Sequence, residues 1–249
     1  MNQLNAILSG FDSVSLEDIT DVKLMDRIDR KYWFHISQLG ELLIRTHPFY
    51  SILEIDGQRL MEYETTYFDT PEDKMYLTHH NQKLNRYKVR RRNYVASDIG
   101  FFEVKLKNNR QRTVKERIET QVDYPVITQN EIEFLSSTPF HDQTLQPTLN
   151  NRFYRLTLIH KDKMDRCTID IQPVFWNELG EVKFNNLAIF ELKRGQSLKS
   201  SPMVSLLRGM KIRQRGLSKY CTGRAILEPE LKQNAFKPRL RFLYKEILN

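Results

Sequence analysis

Four cations in one short stretch are the clearest chemical signal in this sequence. If residues 85–94 (NRYKVRRRNY) form a strand, successive side chains point to opposite faces. The side chains on one face are then all basic: Arg86, Lys88, Arg90 and Arg92. They would span about 20 Å and repel one another, so they need a counter-charge. A polyanion whose charges repeat every few ångströms would supply it. The alternative is a solvated basic face or a localisation-type cluster.

The charge of the whole chain also favours an anionic partner. Its 249 residues include 39 Lys and Arg against 31 Asp and Glu, for a net charge of +8. A hydrophobic fraction of 40% indicates a folded protein that can bury a core. Cys167 and Cys221 have neither disulfide-framework nor zinc-site spacing. We see no signal peptide and no apolar run long enough to span a bilayer, so we expect a cytoplasmic protein.

Hydrophobic periodicity predicts short strands interspersed with helices. The turn at Asp56-Gly57 indicates a hairpin, and Thr128 is a helix N-cap candidate. The predicted strands are residues 29–36, 51–55, 59–68, 85–94, 101–107, 113–119, 148–159, 166–175 and 187–194. The predicted helices are residues 4–24, 37–46, 71–80, 127–136, 202–211 and 218–227. No repeat or linker interrupts the pattern, so we expect one domain over residues 1–249.

Several predicted strands carry charged residues on one face and apolar residues on the other. This pattern favours an α+β fold with a closed, eight-stranded antiparallel barrel that has helices on its outside. Since unpaired buried charge costs several kcal/mol per group, the interior would be a wet tunnel that holds an anion. The alternative is a two-layer sheet with one face in water. Glu191, between cationic strands, is either a salt-bridge partner or a ligand for Mg²⁺ or Mn²⁺. No Gly-rich phosphate loop and no nucleophile–base arrangement is evident.

Six short motifs in order resemble those of a known family. They are DRKY at 29–32, YFDTP at 67–71, YKVRRRNY at 87–94, FEVK at 102–105, FELK at 190–193 and LSKY at 217–220. Their order and content resemble the VTC domain, the catalytic domain of vacuolar transporter chaperone polyphosphate polymerases. That family belongs to the triphosphate tunnel metalloenzymes. The resemblance covers residues 26–220 and places the domain core at about 26–227.

The resemblance implies an eight-stranded tunnel that binds ATP and a growing polyphosphate chain, with phosphoryl transfer assisted by Mn²⁺ or Mg²⁺. It implies Glu191 as the metal ligand. Ser218 and Lys219 would contact phosphate near the tunnel end. The cations that match the family's phosphate-binding positions are Lys31, Arg90, Arg92, Lys105, Lys115, Arg152 and Arg166. To these we add Arg86, Lys88 and Lys193, which share faces with them.

Two departures from the family patterns matter. Only Asp29 and Lys31 match the Glu-x-Glu-x-Lys start of the hydrolytic tunnel enzymes, which argues against a triphosphatase or cyclase. Where the polymerases often have a tyrosine two residues before the strand arginine, this chain has Asn150. The regulatory SPX domain and the membrane segments of the eukaryotic complex are also absent from this sequence. Coupling of synthesis to transport therefore does not follow from this sequence, and a membrane partner protein is one open alternative.

Other functions remain open at this point. The same barrel would suit a hydrolase of tripolyphosphate or nucleoside triphosphates, or a non-catalytic module that binds polyphosphate or nucleotides. Nucleic-acid binding by the basic strand is a further hypothesis. We do not expect nucleic acid as the partner, because a tunnel should prefer compact phosphate chains over duplexes.

Overall fold

The computed structural model describes residues 2–20, 27–110, 112–121, 126–195 and 201–248. The strands are β1 (Ser13–Val14), β2 (Arg27–His35), β3 (Tyr50–Leu53), β4 (Met61–Asp69), β5 (Arg86–Tyr94), β6 (Ile99–Lys107), β7 (Thr113–Thr120), β8 (Gln146–His160), β9 (Asp165–Asn177), β10 (Gly180–Lys183) and β11 (Leu187–Gly195). The helices are α1 (Asn2–Ser9), α2 (Leu16–Thr20), α3 (Leu39–Thr46), α4 (Lys74–His80), α5 (Gln129–Leu135), α6 (Pro202–Gly209), α7 (Lys219–Leu227) and α8 (Lys237–Leu243). Two 3₁₀ turns, Ile36–Gln38 and Val95–Ser97, and a final π-helical turn, Tyr244–Leu248, complete the elements.

All of these strands belong to one sheet. Its main path is antiparallel, in the order β2-β11-β9-β8-β4-β5-β6-β7, with β1, β3 and β10 attached at the side. The α+β class and the antiparallel sheet are confirmed. The closed barrel is not, because no pairing joins β2 to β7 in the described part of the chain. The free edge of β2 instead accepts the backbone amide of Arg215 at the carbonyl of Lys31, at 2.8 Å.

Helices cover one face of the sheet in two places. On β2, β8, β9 and β11 the outward apolar side chains pack against α1, α3 and α6; they include Phe34, Leu158 and Phe190. On β4, β5 and β6 they pack against α4 and α5; they include Phe68, Val89 and Phe102. Burying one such side chain contributes about 1.5–3 kcal/mol. Because side chains alternate along a strand, this packing leaves the charged residues on the other face, which we call the inner face.

Several local predictions are confirmed by backbone geometry. The turn at Asp56-Gly57 is present, with positive φ angles of 50° and 73° and an isolated bridge between Ile55 and Gln58. The hairpin predicted around it is wrong, because β3 pairs with β1 and β8 and not with β4. Thr128 caps α5 by accepting the amide of Glu131, whose carboxylate accepts the amide of Thr128 in return, at 2.8 Å. No helix in the described ranges is long and apolar enough to cross a membrane.

Two helix predictions differ from the structure. The helical region predicted over residues 4–24 is divided into α1 and α2 by β1, and residues 21–26 lie outside the described residues. The helix predicted from residue 71 begins only at Lys74, because Asp73 has a positive φ of 57°. Instead, the carboxylate of Asp69 accepts hydrogen bonds from two amides in the first turn of α4, those of Met75 at 2.9 Å and Tyr76 at 2.8 Å.

Candidate anion-binding channel

Three lysines lie side by side on the inner face of neighbouring strands. Lys88 on β5 is directly opposite Lys105 on β6, and Lys105 is directly opposite Lys115 on β7. We call these three the lysine rung. Arg91, whose parity places it on the outer face, is bound by Glu131 of α5 at 2.9 and 2.6 Å. The outer arginine therefore has its own carboxylate partner. The rung brings three lysines together beside one carboxylate, Glu103, which pairs with Lys115, and such like-charge neighbours are destabilising in a sheet.

Burial lowers the pKa of every lysine in the rung. The pKa falls to about 8 for Lys88, to about 6 for Lys105 and to about 8 for Lys115. Loss of solvent is the main cause in each case, and the charges of Lys31 and Arg90 add to it at Lys88 and Lys105. A bound anion would restore the protonated forms, so the rung gains charge when the channel is filled.

Glu103 connects the rung to the arginines of β5. Its fully buried carboxylate accepts hydrogen bonds from Arg90 at 2.7 Å and forms an ion pair with Lys115. Burial acts to raise the pKa of Glu103, but Arg90, Arg92 and Lys115 lower it to about 2. Glu103 is therefore a fixed negative charge near neutral pH, and it is poorly suited to accept a proton.

A second set of charges lies on β2, β11 and β9. Lys31 and Glu191 are directly opposite, with Lys31 Nζ 3.8 Å from the Glu191 carboxylate. Lys193 Nζ lies 3.4 Å from the same carboxylate, and Arg166 is opposite Lys193 on β9. Burial would raise the pKa of Glu191, but Lys193 and Lys31 hold it well below its usual value. Glu191 is thus ionised, and its contacts are longer than those of Glu103.

These two charged surfaces face each other. Lys31 and Lys193 lower the pKa of Lys105, although β2 and β11 lie at the opposite end of the sheet path from β6. The sheet therefore curls around a channel between them. The structure brings these predicted cations to it: Lys31, Arg86, Lys88, Arg90, Arg92, Lys105, Lys115, Arg166 and Lys193.

The start of α7 also reaches the channel. Ser218 caps this helix by accepting the amide of Cys221 at 3.2 Å, and its hydroxyl accepts a hydrogen bond from Lys88 at 3.1 Å. Lys219 forms an ion pair with Asp170 of β9, and its ammonium lies 4.2 Å from the centre of the Phe153 ring. The structure therefore places both predicted residues of α7 among the channel cations.

The part of the sequence that builds the channel matches one protein family. Residues 26–228 match the VTC domain, and this range contains β2 to β11 and α7. The chain belongs to the VTC domain family. No curated protein matches the VTC chain described here.

Two solved structures align with most of this VTC domain. A putative adenylate cyclase from Vibrio parahaemolyticus is 12% identical, with a TM-score of 0.47, over 78% of this chain and 95% of that one. A putative adenylyl cyclase from Hippeastrum, described with a dominant triphosphatase activity, is 14% identical, with a TM-score of 0.47. That alignment covers 81% of this chain and 99% of the other.

One predicted residue lies away from the channel of the VTC domain. Arg152 is 45% exposed, and its guanidinium lies 3.6 Å from Glu62 and 4.0 Å from Glu64. These glutamates alternate along β4 with Tyr63 and Thr65, so they point to the other face. Arg152 is directly opposite Glu64 on β4, so regular alternation along β8 places it on the face away from the channel. The register shift near Arg152 is in the pairing with β9, and β9 carries the extra residue.

Arg155, which the sequence reasoning missed, occupies the channel position on β8. It binds Asp170 through both ends of its guanidinium, at 2.5 and 2.8 Å. Burial disfavours the charged forms of both residues. However, Asp170 raises the pKa of Arg155, and Arg155 lowers the pKa of Asp170, so both side chains stay ionised. The signal was present in the sequence: Tyr154, Leu156 and Leu158 are apolar at every second position, which directs Arg155 to the other face. Phe153 then takes the aromatic position two residues before the arginine, where Asn150 had seemed to break the VTC pattern.

The acids of the VTC channel fit a cation that arrives with phosphate. No group of three or more His, Cys, Asp or Glu side chains with metal-site geometry occurs among the described residues. Glu103 and Asp170 are each bound closely by arginine, whereas the contacts of Glu191 within the described residues are the longer ones from Lys31 and Lys193. Mg²⁺ is often held by one or two carboxylates together with substrate phosphate oxygens and water. Glu191 suits that kind of site.

Proposed function

We propose that this VTC domain is a metal-dependent polyphosphate polymerase that transfers the γ-phosphate of ATP to a growing polyphosphate chain. The observation that carries the proposal is the lysine rung, which faces Lys31 and Lys193 across the channel. Like charges held this close need a ligand with dense, regularly spaced negative charge, and a phosphate chain has one.

The chain's own residues would bind and orient both substrates. Arginines can hold two phosphate oxygens at once, and lysines provide compact charges between them. Arg90 and Arg155 are already fixed by Glu103 and Asp170, so they need little reorganisation on binding. Holding the acceptor chain in line with the γ-phosphate would make the reaction effectively unimolecular.

The proposed reaction is a direct in-line transfer. A terminal oxygen of the polyphosphate chain attacks the γ-phosphorus of ATP and forms a new P–O bond. The bond from the γ-phosphorus to the bridging β,γ-oxygen breaks, and ADP leaves with that electron pair. Catalysis then depends on positioning and on stabilising the spread negative charge, so no protein nucleophile is required. Lys88, Lys105 and Arg90 would supply this stabilisation.

The channel acids favour transfer over hydrolysis. Activating a water molecule is easiest for a base whose pKa lies near the working pH. The pKa of Glu103 is about 2, and that of Asp170 is well below its usual value because of Arg155 and Lys219. Both carboxylates are thus weak bases that are already paired. This supports a phosphate-chain acceptor over water.

Glu191 would hold the Mn²⁺ or Mg²⁺ that the family implies. When bound, the metal ion would neutralise charge on the phosphate oxygens. Glu191 itself keeps Lys31 and Lys193 in place on that side of the channel.

Replacing Glu191 tests the enzymatic role separately from binding. We expect Glu191→Gln to lose ATP turnover by about a hundredfold or more, while tripolyphosphate binding, measured by calorimetry without metal, stays within about threefold. Glu181→Gln is the matched control, because Glu181 pairs with Lys183 on exposed strand β10. Unchanged turnover in Glu191→Gln would show that the metal assignment is wrong. Binding without turnover in the wild-type protein would indicate a non-catalytic module.

A further inference from the structure

Tyr220 connects the end of the channel to a buried polar network. It follows Lys219 directly and is 1% exposed. Its hydroxyl donates a hydrogen bond to the carboxylate of Asp69 and accepts one from Arg224 Nη1 at 3.1 Å. Tyr220 therefore fixes the first turn of α7, whose N-terminal residues Ser218 and Lys219 lie in the channel.

Asp69 is held firmly in turn. Its side chain is fully buried where β4 ends. One carboxylate oxygen accepts the amides of Thr70 at 2.8 Å and Met75 at 2.9 Å. The other accepts the amide of Tyr76 at 2.8 Å and the hydroxyl of Tyr220. A carboxylate with four donors has little freedom to move, so it is a fixed reference point for α7.

The rest of α7 is packed closely as well. Arg224 binds Asp73 at 2.8 Å and also pairs with Glu228. A Cβ atom added at Gly223 would lie only 2.7 Å from Leu149 and 2.8 Å from Phe175, so the helix backbone lies directly against β8 and β9. Since the body of the helix is fixed, the Tyr220 hydroxyl controls the position of its first turn.

We infer that Asp69 and Tyr220 are a positioning pair that places Ser218 and Lys219 for phosphate binding. This inference rests on the proposed function, because it assumes that the channel binds phosphate chains. Neither residue of the pair would touch the substrate. Without the hydroxyl bond, the first turn of α7 is free to shift, and Lys219 loses its alignment with Asp170 and with the ligand. Phosphate binding would weaken although every channel cation is still present.

The first test compares two buried tyrosines that each lose only a hydroxyl. We expect Tyr220→Phe to weaken tripolyphosphate binding about tenfold in calorimetry. Tyr76→Phe is the matched control, because Tyr76 is fully buried beside Tyr220 but its hydroxyl donates to the carbonyl of Lys232. It should change the affinity less than about twofold. Equal effects of the two variants would overturn the inference.

A double-mutant cycle separates positioning from general stability. We expect the loss caused by Tyr220→Phe to be much smaller than tenfold in a Lys219→Met background, since only the placement of Ser218 then remains. Asp69→Asn should weaken tripolyphosphate binding by a similar factor, and its effect should not add to that of Tyr220→Phe. Having both variants keeps the test possible if one of them folds poorly. Additive effects of Tyr220→Phe and Lys219→Met would overturn the positioning role but leave the proposed function intact. A wild-type protein that does not bind tripolyphosphate would remove the proposed function and this inference with it.

Discussion

Lys88 and Lys105 lie directly opposite each other on β5 and β6, and Lys115 lies opposite Lys105 on β7. Such like-charge pairs oppose folding, so the protein gives up stability to keep them. Burial lowers the pKa of each lysine, so deprotonation relieves part of the repulsion. A phosphate chain in the channel would remove the repulsion and recharge the lysines. The same three residues therefore connect stability, protonation and ligand binding.

Binding of tripolyphosphate should be accompanied by proton uptake. The pKa of Lys105 is about 6 in the free protein, so at pH 7.5 this lysine is mostly neutral. Bound phosphate would raise its pKa, and the lysine would take up a proton. The lysine contribution to affinity therefore decreases as the pH rises above about 6.

Calorimetry in two buffers of different ionisation enthalpy measures this uptake. Lys105→Met should bind more weakly and take up about one proton fewer than the wild-type protein. The titration of the ligand itself is common to both proteins, so the difference isolates the lysine. Lys183→Met, on the exposed strand β10, is the control. Identical proton uptake in wild type and Lys105→Met would contradict the pKa assignment.

The stability of the ligand-free protein should rise with pH above neutrality. The pKa of Lys105 is about 6 in the folded protein and 10.5 in the unfolded chain. Between these values the unfolded chain binds more protons, so the free energy of unfolding increases with pH. This contribution is lost as the pH falls through about 6. Urea unfolding at several pH values from 6.5 to 9 checks it, and Lys105→Met should show a flatter dependence. A wild-type stability that falls over this range would contradict the account.

Arg155 should be needed for binding, and Arg152 should not. Arg155→Met removes a bidentate partner of buried Asp170, so we expect tripolyphosphate affinity to fall at least tenfold. The free energy of unfolding should fall by about 3 kcal/mol, because Asp170 keeps only Lys219. Arg152→Met changes an exposed arginine of the same size and should alter either quantity very little. The reverse ranking in calorimetry would restore Arg152 to the channel.

Metal removal should separate chemistry from binding. We expect EDTA to abolish ATP turnover and excess Mn²⁺ or Mg²⁺ to restore it, because the metal ion that Glu191 would hold neutralises charge on the transferred phosphate. Tripolyphosphate binding should persist in EDTA, since the channel cations do not depend on the metal. Turnover that continues after dialysis against EDTA would argue against the role given to Glu191.

Much of the channel follows from alternation along single strands. The residue types of β5 were enough to separate its inner cations from outer Arg91, because period-two geometry is local. The Thr128 cap and the turn at Asp56-Gly57 are also local features. Arg152 lies on the outer face opposite Glu64 of β4, so the same alternation assigns Arg155, and not Arg152, to the channel. The apolar residues Tyr154, Leu156 and Leu158 indicate Arg155, whereas the resemblance to the family pointed to Arg152.

Longer-range features required the structure. Lys31 lowers the pKa of Lys105 because the curvature of the whole sheet brings β2 close to β6. The expected closure of the barrel depends on the same curvature, and at its free edge β2 forms an isolated bridge from Tyr32 to Gln214. The hydrogen bond from Tyr220 to Asp69 joins residues that are far apart in sequence, and neither residue by itself predicts it.

The most direct test of polyphosphate synthesis is an analysis of products. Purified protein is incubated with ATP and Mn²⁺ or Mg²⁺, the products are separated on a gel that resolves phosphate chains, and ADP and free phosphate are assayed in parallel. The account predicts long chains, with ADP released in the same amount as phosphate incorporated and with little free phosphate. Free phosphate equal to ADP, with no chains, would contradict the polymerase and indicate a hydrolase.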